Sequence, residues 1–168
     1  VIGGNVRLYS LDTLEYVAMP ELTEINGHLS IQYCYQMVSM SMPKLMEIEG
    51  TFEMNRNNKI KSLAMPQLTQ VRGNFEISYC AEMGSLSDFG AFTTITGALQ
   101  ITNNNQLQCI KGLSNVSSIA GQLSIYGNSK LFMCSELYAA LQNSASSANS
   151  ANTYVKRDDC DHVCDSAD

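Results

Sequence analysis

Two cysteines, Cys34 and Cys80, close near-copies of one phrase, LSIQYC at 29–34 and FEISYC at 75–80. Cysteines sharing a frame can form a disulfide, ligate a metal or stay as buried thiols, and each outcome implies a different chemistry. Four more cysteines (Cys109, Cys134, Cys160, Cys164) and only two histidines (His28, His162) complete the Cys/His set. A tail metal site would use Cys160, His162 and Cys164, but this C-x-x-x-C spacing lacks the second cysteine pair that a tetrahedral site needs. His28 follows Gly27 and has no Ser, Cys or carboxylate at a catalytic spacing, so it reads as a solvated corner histidine. Glu24, Glu47 and Glu49, beside Lys44 and Arg72, read as a charge-mixed solvent face rather than a general acid/base pair. The expectation is a protein with no catalytic site, no metal and no cofactor.

The elements that position these residues follow from a repeat. Gly4, Gly27, Gly50, Gly73, Gly97 and Gly121 recur at intervals of 23, 23, 23, 24 and 24 residues, within the period of leucine-rich solenoids. Apolar residues stand two before each glycine (Ile25, Ile48, Val71) and two and four after it (Leu29 and Ile31, Phe52 and Met54, Phe75 and Ile77), which is strand alternation. Further apolar columns pass through Met37, Ile60 and Met83, through Met40, Leu63 and Leu86, and through Leu45, Leu68 and Phe92. One turn of this length cannot bury its own apolar columns, whereas stacked turns close a continuous interior. Each glycine marks a corner where a side chain would crowd the backbone or where positive φ is needed. Pro20, Pro43 and Pro66 mark another. The fold class is therefore an all-β solenoid, a right-handed parallel β-helix of about six 23–24-residue turns. SELYAAL at 135–141 reads as a C-terminal cap helix, with Ser135 as its cap and Leu137, Tyr138 and Leu141 facing the last turn.

In this frame Cys34 and Cys80 occupy a slot that other turns fill with Asn57, Asn104 and Asn128, a small polar side chain turned inward to bond the bend. They lie two turns apart, roughly 9.6 Å, beyond the ~7 Å that a disulfide spans between Cα atoms. Both are expected to be free, buried thiols.

The frame LxLxx(N/C)xxL, followed by a proline corner and IxG, resembles the receptor L domain family, the leucine-rich-like β-helix of insulin-receptor and epidermal-growth-factor-receptor ectodomains. It also resembles fungal GPI-anchored cell-wall proteins, whose turns read like MPKLMEIEGTFEM at 42–54. The resemblance covers about residues 2–134 and bears on architecture rather than on a ligand. It implies that Cys134 and the cysteines after the helix close the domain, with Cys134–Cys160 and Cys109–Cys164 the favoured bridges; four cysteines allow three pairings, and spacing does not choose among them. Bridges imply an oxidising compartment, so the expected location is extracellular, secreted or at the cell surface.

Composition agrees with one domain: 168 residues, 45% apolar, and no run long enough to span a bilayer. Residues 1–142 form the solenoid and cap helix, and 143–168 a flexible Ser/Ala/Asn-rich loop and acidic, disulfide-bearing tail. The net charge of −6 is concentrated partly at Asp158, Asp159, Asp161, Asp165 and Asp168, and no basic stripe offers a nucleic-acid site. A first turn that begins at Val1 and Ile2 without a cap reads as a trimmed or mature fragment, open to self-association or a neighbouring domain. Asn115, in NVS, is the one glycosylation sequon. Lys156–Arg157 is a dibasic pair that reads as a chance occurrence more readily than as a processing site.

Function then falls to the surface. Arg7 and Tyr9, Ser30 and Gln32, Glu53 and Asn55, Glu76 and Ser78, Gln100 and Thr102, Ser124 and Tyr126 are expected outward on the long sheet. The next column reads Ser10, Tyr33, Arg56, Tyr79, Asn103 and Gly127, placing Arg56 between two tyrosines as a cation–π stack. Tyr and Arg anchor many interfaces. The candidate ligand-binding residues are Arg7, Tyr9, Gln32, Tyr33, Asn55, Arg56, Ser78 and Tyr79, for a protein or carbohydrate partner. The alternative is a structural or adhesive role in a cell wall, coat or matrix.

Overall fold

The computed structural model describes the backbone of residues 1–148 and 155–157, and side chains through 132 and over 137–145. The chain is a parallel β-solenoid. Six strands, Val6–Tyr9, Leu29–Gln32, Phe52–Asn55, Phe75–Ser78, Leu99–Thr102 and the longer Ser118–Tyr126, lie side by side on its long face. The register is one-to-one: Leu29 opposes Phe52, Phe52 opposes Phe75, Phe75 opposes Leu99 and Leu99 opposes Leu123. A second ladder runs through Glu24–Ile25, Glu47–Ile48, Gln70–Val71 and Thr94–Ile95 into the start of Ser118–Tyr126. A third joins Tyr16–Ala18, Ser39–Ser41 and Ser62–Ala64, each ending just before a Met-Pro corner.

Between the three ladders lies the core. Ile25, Leu29, Ile31, Phe52, Met54, Phe75, Ile77, Leu99 and Ile101 are fully buried, as alternation requires. One core column escapes the periodic reading: Met42, Met65, Phe89 and Leu113 are also fully buried, the first two directly before their prolines. Where the repeat lengthens and loses its proline, Phe89 and Phe92 pack on Phe75 at 5.6 and 5.1 Å, and Phe75 stacks on Phe52 at 4.8 Å. In the first turn Val6 and Leu8 are only partly buried.

Close approach, not positive φ, explains the corner glycines Gly27, Gly50, Gly73, Gly97 and Gly121, whereas a Cβ on Gly4 would meet nothing within 4 Å. A Cβ on Gly73 would stand 2.7 Å from Thr51 N and 2.8 Å from the Gly50 carbonyl carbon, and among the described glycines only Gly127 has positive φ. The helix runs Ser135–Ser144, with Leu141 buried and Leu137 and Tyr138 packed on the core; the Ser135 cap lies outside the described side chains.

The segment expected to be a loop is structured in part. Ala145–Ala148 pairs in parallel with Ser118–Tyr126, and Val155–Arg157 with Phe132–Cys134. Ala145–Ala148 has weak strand propensity, so its pairing is supplied by the strand edge that it meets. The remainder of the tail, with Cys160, His162 and Cys164, lies outside the described residues. Among those described, no helix is long and apolar enough to cross a membrane.

Candidate recognition surface

The long face ends in a corner of unusual backbone. Ser10, Tyr33, Arg56, Tyr79 and Asn103 have φ of 52°, 58°, 57°, 55° and 57°, and Gly127 has 69°. Every turn thus enters the left-handed region at the same place. Outside glycine this costs roughly 1–2 kcal/mol, with Asn the usual exception. The residue after the corner makes the bend tolerable. Asn57 Oδ1 accepts the Cys34 N–H and its Nδ2 donates to the Ile31 carbonyl, both at 2.9 Å. Asn104 does the same for Cys80 N–H and Ile77 O, at 2.9 and 3.1 Å. Asn128 serves Asn104 N–H and Ile101 O, at 2.9 and 2.8 Å. All three asparagines are fully buried, and each binds the preceding turn.

Cys34 and Cys80 fill the same slot as free, buried thiols. Their Sγ atoms lie 3.6 Å from the carbonyls of Gln32 and Ser78. Burial pushes the Cys80 thiol up from 9.0 to about 12, against the smaller opposing effect of a hydrogen bond from the Asn57 backbone N–H. It is therefore neutral and a poor nucleophile at physiological pH. Cys109 is disulfide-bonded; its partner and the pairings Cys134–Cys160 and Cys109–Cys164 lie outside the described side chains.

A second side-chain ladder sits at the other end of the long face, directly after the glycines. Asn5 Oδ1 accepts the His28 N–H at 2.8 Å, His28 Nδ1 accepts the Thr51 N–H at 2.9 Å, Thr51 Oγ1 accepts the Asn74 N–H at 3.3 Å, and Asn74 Oδ1 accepts the Ala98 N–H at 2.9 Å. His28 is exposed and bonded, a role the sequence reading missed; the signal was a run of short acceptors after successive glycines. With Nδ1 accepting, the neutral ring carries its proton on Nε2.

The face between these ladders is polar. Glu53 and Glu76 are directly opposed, an unfavourable like-charge pairing. Their carboxylates are drawn to different donors: Glu53 accepts from Gln32 Nε2 at 2.7 Å and Ser30 Oγ at 3.3 Å, Glu76 from Asn74 Nδ2 at 2.8 Å. Thr102 and Ser124, expected outward, are buried, being small side chains beside the larger Tyr126 and Gln100 of the adjacent strands. Asn55 Oδ1 is buried and has no hydrogen-bond partner among the described residues.

Aromatic groups gather at the left-handed corner. The Arg56 guanidinium lies 5.9 Å from the Tyr33 ring and 5.1 Å from that of Tyr79, and Arg7 lies 5.1 Å from Tyr9. Tyr9 meets Tyr33 edge-on at 5.4 Å, and Tyr33 meets Tyr35 at 6.3 Å. Tyr9, Tyr35 and Tyr79 are exposed, Tyr79 by 47%. All eight candidate residues thus belong to one tract of contacts or to the polar face beside it, where Ser78 stands opposite Asn55.

Elsewhere, Arg72 pairs with Glu47 and Glu49 at 2.7 and 3.4 Å, and Lys44 with Glu21 at 2.6 Å. These are exposed pairs of small energetic weight. Asn115 is exposed, and its Nδ2 donates to the Gly90 carbonyl at 2.7 Å. Among the described residues, no group of three or more His, Cys, Asp or Glu is placed to hold a metal ion. No protein-family model, curated protein or solved structure matches the chain.

Proposed function

We propose that the protein is a non-enzymatic recognition module of the receptor L domain kind, presented outside the cell, whose long face and left-handed corner bind a protein or glycan partner. One observation carries this reading. The corner needs residues that tolerate positive φ, and Asn103 and Gly127 meet that need cheaply, yet three earlier turns in succession use Tyr33, Arg56 and Tyr79. Bulky side chains in the left-handed region are strained, and strain of this kind concentrates at functional sites. The strained residues are the ones that present aromatic and guanidinium surface to solvent, the chemistry that anchors interfaces. The unpartnered Asn55 Oδ1 beside them is a further cost that a purely structural face has no reason to carry.

The test separates binding from stability. A screen of glycans and extracellular proteins identifies the partner. Arg56→Glu is expected to lower its affinity at least about tenfold, the scale of an interface anchor. Arg56→Asn is expected to weaken binding as well while stabilising the fold by up to about 1 kcal/mol, because Asn relieves the left-handed strain. Unchanged binding in both variants removes the corner as the site, and a destabilised Arg56→Asn shows that the arginine serves the bend.

A further inference from the structure

Beside the corner, the long face carries a groove of about 280 Å³ over the first three turns. Its lining includes Asn5, Arg7, His28, Ser30, Gln32 and Glu53, with Val6 the apolar part. We infer that this groove is a carbohydrate subsite, holding one neutral, polyhydroxylated sugar residue. The inference rests on the recognition reading above and names the ligand class for it.

Three features carry it. First, charge: Arg7, Ser30 and Glu53 are consecutive in one outward column, so a cation and an anion stand two strands apart with a serine between them. Neither is in an ion pair among the described salt bridges. One positive and one negative group balance, which suits a neutral ligand better than an ion. Second, hydrogen bonding: a sugar hydroxyl donates and accepts at once, so its site needs both kinds of partner side by side. Arg7 only donates, Glu53 only accepts, and Asn5, Gln32 and Ser30 do both. His28 contributes a donor, since its Nδ1 is held by the Thr51 N–H and the proton lies on Nε2. Third, preorganisation: Gln32 Nε2 bonds Ser30 Oγ at 3.0 Å and Glu53 at 2.7 Å, and Arg7 rests against Tyr9, so the polar groups are positioned before a ligand arrives. Next to the groove, Tyr9 is the register partner of Gln32 and meets Tyr33 edge-on, and these rings offer stacking surface to a following sugar residue.

The experiment is an amide-resolved NMR titration of the whole chain with hexasaccharides of β-1,3-glucose, β-1,4-glucose, β-1,4-N-acetylglucosamine and α-mannose, and with the matching methyl glycosides. At least one hexasaccharide is expected to shift the amides of residues 5–7, 28–32 and 51–53. Glu53→Gln, which keeps the shape and removes the charged acceptor, is expected to weaken that binding about tenfold. Added salt is expected to leave it unchanged, as a neutral ligand requires. Binding of a methyl glycoside alone identifies a single-sugar site, whereas binding of the oligomer only identifies a chain extending onto the tyrosines. The inference is overturned if no probe shifts these amides up to roughly 10 mM, or if the shifts survive Glu53→Gln unchanged. A partner lost with Arg56→Glu but indifferent to Glu53→Gln leaves the corner standing and removes the groove. Sugar binding indifferent to Arg56→Glu does the reverse.

Discussion

At the scale of single residues, the slot after each left-handed corner shows how one polar side chain serves two turns. Asn57 answers both a donor and an acceptor of the turn before it, so truncation leaves two buried backbone groups unpaired. Asn57→Ala is expected to destabilise the chain by about 2–4 kcal/mol in urea unfolding, and a loss below about 0.5 kcal/mol would show that the bend holds without it. Cys80 in the same slot carries a pH signature. Its folded pKa, about 12, lies above its ordinary 9.0, so the folded chain keeps a proton that the unfolded chain releases. The resulting stabilisation is complete below about pH 9 and is lost as pH rises toward 12, at about 1.4 kcal/mol per unit. Relative to Cys80→Asn, which takes the residue used by neighbouring turns, the natural chain should lose stability between about pH 9 and 11; parallel curves would contradict this.

Among the elements, the strands were legible because a glycine every 23 or 24 residues and alternating apolar positions leave little freedom in register. The corner was legible as a column but not as a conformation. Left-handed backbone announces itself through Gly or Asn, and only Asn103 and Gly127 carry that signal, while Tyr33, Arg56 and Tyr79 conceal it. The Ala145–Ala148 strand was not legible because its pairing comes from the edge it meets rather than from its own composition. The ladder through Asn5, His28, Thr51 and Asn74 was overlooked because each residue alone is an ordinary polar corner. The corner glycines carry two explanations in the sequence, and for Gly27, Gly50, Gly73, Gly97 and Gly121 the structure selects crowding. Gly73→Ala is therefore expected to cost more than about 2 kcal/mol, since the Cβ meets fixed backbone of the preceding turn. Thermal unfolding tests this, and a neutral substitution would mean that the turns can separate locally.

For the molecule as a whole, the fold is one hydrophobic column, and stability is graded along it. Ile77 is fully buried between turns on both sides, whereas Leu8 in the first turn is half-buried. Ile77→Ala should cost about 2–5 kcal/mol and Leu8→Ala less than half as much; equal losses in denaturant titrations would mean that burial in the first turn is completed by association. The one-to-one register has a metric consequence. Side chains on the long face stand at whole multiples of one strand spacing, ~4.8 Å, and the tyrosines at 33 and 79 mark two such divisions. The spacing is regular but the groups are not: one outward column runs Arg7, Ser30, Glu53 and Glu76, so each division of the scale carries its own chemistry. The solenoid is thus a ruler with unlike marks, its intervals set by the backbone and the character of each mark by a single side chain.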